Sequence, residues 1–302
     1  MTQFTVTVPA TTANLGVGFD CIGAALSLYN QFQFTLNTEA ELTITVEGME
    51  ADKVSTDASN LIYQSFLKLY QHLHQTPPAI NLHIKLGVPL SRGLGSSATA
   101  IVGGLIGANQ SAQNPLSQEE IRELAIAIEG HPDNVVPALL GNCQLSVGEP
   151  GNWHISSIPW HQEIIPVVAI PNFELSTEAA RAVLPSEYSR SDAIFNISRM
   201  GLLLRALATN NGKWLTVALE DKIHQPYRQQ LIPGYDAVKA AAIASGAYGM
   251  VISGAGPTLL ALCDRQQITN VVTAISEAWA EIGIVADVRS LDLDVSGAKI
   301  EQ

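Results

Sequence analysis

VPLSRGLGSSATA, Val88 to Ala100, joins two segments of different periodicity. Before it, INLHIKL (80–86) alternates like a strand; after it, ATAIVGGLIGANQ is an apolar, small-residue run that reads as a buried helix. Gly93, Gly95 and the small Ser96, Ser97 and Ala98 allow a ligand to approach the backbone where that helix begins. A helix start has unpaired N–H groups and a positive dipole end, so a phosphate is its natural guest. The same residues would serve a plain strand-to-helix turn, with glycine for conformation and serine for capping. The loop alone leaves both readings open. It lacks the lysine of the G-x-x-x-x-G-K-[ST] phosphate loop, so any phosphate here must be met by backbone N–H groups, hydroxyls and Arg92.

The chain of 302 residues is long enough for two domains, and 47% hydrophobic with 15% charged residues describes a folded protein. A net charge of -12 argues against a non-specific grip on nucleic acid or an anionic membrane. Cys21, Cys143 and Cys263 are odd in number and far apart, which supports neither a disulfide framework nor a structural metal. MTQFTVTVPA reads as a strand rather than a signal peptide, and no apolar run reaches membrane-spanning length, so a cytoplasmic location is expected.

QFQFTLN (31–37) and ELTITVEG (41–48) alternate like strands, and NLIYQSFLKLYQHLHQ (60–75) places Ile62, Phe66, Leu69 and Leu73 at helical spacing. SQEEIRELAIAIEG starts at a Ser cap, carries Glu in its first turn and ends at Gly130. A composition shift in WHISSIPWHQEIIP marks a boundary around Pro159 to Gln162, dividing the chain into 1–161 and 162–302. Beyond it come the strand IIPVVAIP, helices over 176–184, 192–208 and 235–244, strands AYGMVIS and TLLALCD, the helix ITNVVTAISEAWAEIG and the strand VADVRSL. The class is α+β in two layers.

Three further stretches carry polar and glycine residues at element ends: PATTANLGVGFD (9–20), EGHPDN (129–134) and SGAGPT (253–258). With SRGLGSSA they resemble the signature regions of the GHMP small-molecule kinases, nearly end to end. PATTANLGVGFDCIGAAL, PLSRGLGSSATA, EGHPDNVVPALLG and STEAARAVLP resemble most the branch that phosphorylates homoserine. The resemblance implies a two-domain GHMP kinase fold, with an N-terminal ribosomal S5 domain 2-like unit containing a left-handed βαβ crossover and a ferredoxin-like C-terminal unit. It also implies transfer of the γ-phosphate of ATP to the L-homoserine hydroxyl with Mg2+, and leaves a homodimer open.

Residue by residue, the resemblance puts ATP against Asn60 and against Pro89, Leu90, Ser91, Arg92, Gly93, Leu94, Gly95, Ser96, Ser97, Ala98 and Thr99. Asn60 reads equally well as a helix cap. The metal is implied at Ser97 and Glu123, although Glu119, Glu120 and Glu123 also read as one solvated helix face. The acceptor is a zwitterion, so its site needs an anion for the ammonium and a cationic fork for the carboxylate. Arg181 lies four residues after Thr177 on one helix face, and Arg228 sits in HQPYRQQLIP, expected as a Pro-bounded loop. These align with the groups that hold the substrate carboxylate in the family, while Asp20, Asn14 and His131 align with groups around the amino end and Gly256 joins the acceptor set. Asn134 is expected to orient the hydroxyl, and whether Asp133 acts as a base stays open. Two alternatives are another GHMP kinase, such as one for mevalonate, which has no ammonium for Asp20, and an inactive GHMP-fold sensor, which would have lost Glu123 or the loop serines.

Overall fold

Alternating Phe4, Val6 and Val8 fold as β1 (Gln3–Ala13) and bury one face of it. The computed structural model describes residues 3–37 and 42–301; Met1, Thr2 and Glu41 of the expected strands lie outside the described residues. β1 does not stop at Pro9. After a bulge, Thr11, Thr12 and Ala13 continue in register with Ala25, Ala24 and Gly23, so PATTANLGVGFD is a loop only from Asn14 onward. The threonines are β-branched and buried, which favours extended pairing.

β2 (Ile22–Asn37) is sixteen residues long and shares its second edge between two partners. Gln31–Asn37 pair with β4 (Ala79–Leu86), and Ile22–Ala24 pair with β5 (Cys143–Glu149), which turns back as β6 (Asn152–Ile158). β3 (Thr43–Gly48) lies parallel to β4, the two joined through α1 (Leu61–His72). Phe4, Phe34 and Phe66 stack in series with centroids 5.5 and 5.8 Å apart, tying α1 to the sheet; each buried ring contributes about 1.5–3 kcal/mol. α2 (Ser96–Ser111) crosses the same core, followed by α3 (Gln118–Glu129) and α4 (Pro132–Leu140). α3 has the expected Ser117 cap, reinforced by Glu120 as a capping box, and ends on Gly130 at φ 89°.

The chain leaves this sheet at Ile158 and enters the second at β7 (Ile164–Pro171). With β8 (Ala247–Ile252), β9 (Leu259–Asp264) and β10 (Ala286–Ser290) it forms an antiparallel sheet of order β10-β7-β9-β8, the fourth-first-third-second arrangement of a ferredoxin-like unit. β7 is apolar throughout because both its faces are covered. Ile165, Val167 and Ala169 pack with α9 (Tyr235–Ala244) and α10 (Ile268–Ala280), while Val168 and Ile170 pack towards α6 (Arg190–Thr209), α7 (Gly212–Ala218) and the first sheet. α5 (Thr177–Ala182) follows β7, and HQPYRQQLIP opens with α8 (Gln225–Arg228) instead of a loop. Asp221 starts α8 by accepting the His224 and Gln225 N–H groups at 2.8 and 2.7 Å. The final strand, β11 (Lys299–Glu301), returns to pair with β1, so the expected second unit contributes one strand to the first sheet.

Gly104 on α2 sits where α1 passes: a β-carbon there would lie 2.3 Å from the Ile62 carbonyl oxygen. Gly201 on α6 is also within a helix, yet its β-carbon would meet nothing within 4 Å. Alanine gains about 1 kcal/mol of helix propensity at either position, but at Gly104 the overpacking cost of about 1–3 kcal/mol opposes it. Urea unfolding should therefore show Gly104→Ala as destabilising and Gly201→Ala as stabilising.

Candidate active site

The loop from Val88 to Gly95 is shaped from behind by Asn30 of β2. Its Oδ1 accepts the Gly87 and Val88 N–H groups at 2.9 Å each, and its Nδ2 donates to Thr99 Oγ1 at 2.8 Å; Thr99 in turn donates to the Ser96 carbonyl. Gly93 and Gly95 take φ of 75° and 67°, which glycine adopts without strain. Gly95 is the N-cap of α2, no side chain among the described residues caps the helix, and its first turn has no acidic residue. This open N-terminus faces a cavity of about 700 Å³.

The same cavity is lined by Asp20, Arg181, Arg228, His131, Asp133 and Asn134. Arg181 of α5 forms a two-pronged pair with Asp20, Nη1 to Oδ2 at 3.0 Å and Nη2 to Oδ1 at 2.9 Å, and Asp20 raises its already high pKa. Thr177, one turn earlier, also lines the cavity. Arg228 is 2% exposed and donates through Nε to the Ala180 carbonyl and through Nη1 to the Gly254 carbonyl, both at 3.0 Å. Asn14 is held on both sides, donating to Gly254 O and accepting the Asp20 N–H. Burial works to lower the His131 pKa, but its hydrogen bond to Asp133 and the charges of Asp133 and Glu129 outweigh it and raise the value. Asn134 accepts the Thr11 hydroxyl at 2.8 Å.

The GHMP kinases N terminal domain matches residues 60–142, and the GHMP kinases C terminal domain matches 199–281. The homoserine kinases of Crocosphaera subtropica and Nostoc punctiforme are 67% and 64% identical to the chain; each alignment covers 99% of this chain and 98% of the relative. The chain belongs to the homoserine kinase family of GHMP kinases. A crystal structure of homoserine kinase from Cytophaga hutchinsonii superposes with a TM-score of 0.90 at 29% identity, covering 99% of this chain and 97% of that one. A mevalonate kinase structure, 14% identical with a TM-score of 0.69, shares the fold. As a member of this family the chain is an ATP-dependent kinase.

In this homoserine kinase family member, some of the residues expected at the site line the cavity and others do not. Glu123 does not line the cavity; its partly buried carboxylate pairs with Arg122, which also donates to the Trp153 carbonyl. The carboxylate that reaches Ser97 is Glu129, with Ser97 Oγ donating to its Oε1 at 2.8 Å. Six residues along a helix rotate a side chain about 120° away, so the two glutamates leave α3 in different directions. Burial raises the Glu129 pKa, partly opposed by the Ser97 bond. A carboxylate at the end of its helix, directly before Gly130 and HPDN, was the available signal.

Asn60 lines the cavity but caps α1: its Oδ1 accepts the Ile62 and Tyr63 N–H groups and its Nδ2 donates to Ser55 O. Leu90, Ser91, Gly93, Gly95, Ser96, Ser97 and Gly256 line the cavity, whereas Pro89, Leu94, Ala98 and Thr99 do not. Leu94, Ala98 and Thr99 are fully buried in the supporting core.

Arg92 lines the cavity as a strut, already engaged by protein oxygens. It donates to Pro171 O at 3.1 Å and Leu90 O at 2.8 Å and pairs with Glu50 and Glu174 at 3.3 Å each. Lys53, which sequence reasoning missed, completes this cluster through Glu50 and Glu174. A lysine cannot reproduce the planar fork that reaches two carbonyls and two carboxylates. Arg92→Lys should therefore destabilise the protein by about 2 kcal/mol, measured as a lower urea midpoint.

Proposed function

We propose that the chain transfers the γ-phosphate of ATP to the side-chain hydroxyl of L-homoserine, giving O-phospho-L-homoserine. One observation carries this reading: an uncapped helix N-terminus and the charges Asp20, Arg181 and Arg228 share one cavity. The first-turn N–H groups of α2 take the polyphosphate oxygens. Ser97 and Glu129 fit Mg2+, as two hard-oxygen donors that leave the remaining positions to water and phosphate. Among the described residues, Ser97 is the one hydrogen-bond partner of the Glu129 side chain, so a cation would offset its burial. When bound, Mg2+ neutralises charge on the transferring phosphoryl group.

At the other set of charges the substrate ammonium takes Asp20, and its carboxylate takes Arg181 and Arg228. The zwitterion thereby replaces each half of the Asp20–Arg181 pair. Both side chains are more than a third exposed, so opening the pair costs only about 1 kcal/mol or less. An acceptor lacking either charge leaves one partner bare, which is the source of discrimination. Asn134 Oδ1 is taken by Thr11 and one of its Nδ2–H groups by Asp133, so its other Nδ2–H is the group available to orient the acceptor hydroxyl. Asp133 accepts from Asn134 and His131 and holds both in place. In this reading residues 1–161 hold the nucleotide and 162–302 form the second unit, a division supported by the passage between β6 and β7. The enzyme works in the cytoplasm, in keeping with the absence, among the described residues, of any helix long and apolar enough to cross a membrane.

ADP release measured with L-homoserine, mevalonate and galactose should be stimulated by homoserine alone; stimulation by either of the others, without homoserine, would overturn the assignment. Glu129→Gln should lower kcat on the order of a hundredfold, while Glu123→Gln leaves turnover unchanged. The Glu129→Gln protein should unfold at a higher urea concentration than wild type at neutral pH without ligand, because a desolvated carboxylate has been removed. The reverse ranking of the two glutamates would return the metal to Glu123.

A further inference from the structure

Arg181 and Arg228 share a neighbour that does not itself line the cavity. Phe19 has the Arg228 guanidinium carbon 5.0 Å from its ring centroid and that of Arg181 at 5.8 Å. Both distances lie within the range, about 6 Å, over which the quadrupole of an aromatic ring attracts a cation. The ring also stacks on His224, with centroids 5.1 Å apart and planes 21° from parallel.

His224 is fully buried, and burial lowers its pKa. Its Nε2 bonds the Gly16 carbonyl at 2.8 Å, an acceptor, so Nε2 carries the proton and Nδ1 presents a lone pair towards Arg228 Nη1 at 3.5 Å. The imidazole therefore adds no third positive charge beside the two arginines. The Nη2 of Arg228 makes no hydrogen bond among the described residues, while its other nitrogens are anchored to carbonyls. Two like charges aimed at one cavity repel, and the Arg181 charge, after burial, holds the Arg228 pKa below its ordinary value.

We infer that Phe19, backed by His224, is a positioning residue that sets the separation and direction of Arg181 and Arg228 and thereby makes the acceptor site select an α-carboxylate. The inference rests on the reading of those arginines under Proposed function. An aliphatic side chain could fill the same space, but the ring face attracts each guanidinium and offsets their mutual repulsion. The placement of the ring is also that of Asp20, the next residue, because both belong to a turn closed by Gly18 N–H to Asn14 O at 2.8 Å and Asp20 N–H to Asn14 Oδ1 at 3.0 Å. One turn therefore aligns the anion directly and both cations through the ring.

The test compares L-homoserine with L-homoserine amide, which lacks the carboxylate charge, at saturating Mg-ATP. Phe19→Leu should raise KM for homoserine about tenfold, with kcat within about twofold and with KM for the amide and for ATP unchanged. Replacing Phe19 by 3,5-difluorophenylalanine and then pentafluorophenylalanine keeps the ring while weakening and finally inverting its quadrupole, so KM for homoserine should climb along the series. A ring that only fills space would give a flat series. The inference fails if the series is flat, if Phe19→Leu retains wild-type preference for homoserine over the amide, or if it impairs both acceptors equally. Should Phe19→Leu not fold, the fluorinated series decides alone. Arg228→Leu separates the two levels: if it retains wild-type preference, the arginine reading itself is wrong, whereas if it loses preference and the Phe19 variants do not, only the role of Phe19 is lost.

Discussion

Gly93 approaches the Ser253 carbonyl so closely that a β-carbon would lie 2.3 Å from that oxygen. This contact presses the loop before α2 against the SGAGPT turn of the second sheet. Around it, Ser253 Oγ donates to Gly93 O at 2.6 Å, Thr258 N–H to Arg92 O at 3.2 Å and Gly254 N–H to Ala13 O at 3.1 Å. Thr11 N–H reaches Leu94 O at 3.0 Å. The end of β1, the loop and the turn are thus interlocked through backbone groups, which have few alternative positions once paired. The Gly254 carbonyl then accepts from both Asn14 and Arg228. One backbone oxygen therefore positions Asn14 and Arg228 relative to the helix N-terminus that opens on the same cavity.

A chain with a net charge of -12 must attract anionic ligands locally. It does so with backbone dipoles and with cations whose charge is not already spent. Arg92 shows the contrast: its guanidinium is surrounded by two carbonyls and two carboxylates, so it stabilises the loop and adds little positive field to the cavity. Arg228 is held by neutral carbonyls and a neutral imidazole, so its charge stays available. Arg181 is matched by Asp20 in the absence of ligand, and this balance suits a substrate that brings one charge of each sign. Among the described residues, the desolvated Glu129 side chain accepts from one hydroxyl, that of Ser97, an arrangement that a cation would relieve.

Several elements were legible because their causes are local. Ser117, Glu120 and Gly130 bound α3 by capping chemistry, and the alternation in INLHIKL produces β4. The glycines of SRGLGSSA and SGAGPT marked turns that do approach the cavity. The extension of β1 through Ala13 was not legible, because the hydroxyl-rich run suggests a loop until β2 lies alongside it. β11 depends on a partner almost the whole chain away.

The same division runs through the site. By itself the sequence determined the family, the helix whose N-terminus opens on the cavity, and the presence of Asp20, Arg181 and Arg228, since residue types and short spacings carry that information. Only the tertiary structure decided that Glu129, rather than Glu123, reaches Ser97, that Arg92 is a strut, and that Asn60 spends its amide on capping α1. It also decided that Phe19 lies beside both arginines. The physical reason is common to Glu129, Arg92 and Asn60. A side chain's charge and hydrogen-bonding capacity are properties of its type, but whether that capacity is free depends on which distant backbone and side-chain groups packing brings within about 3 Å.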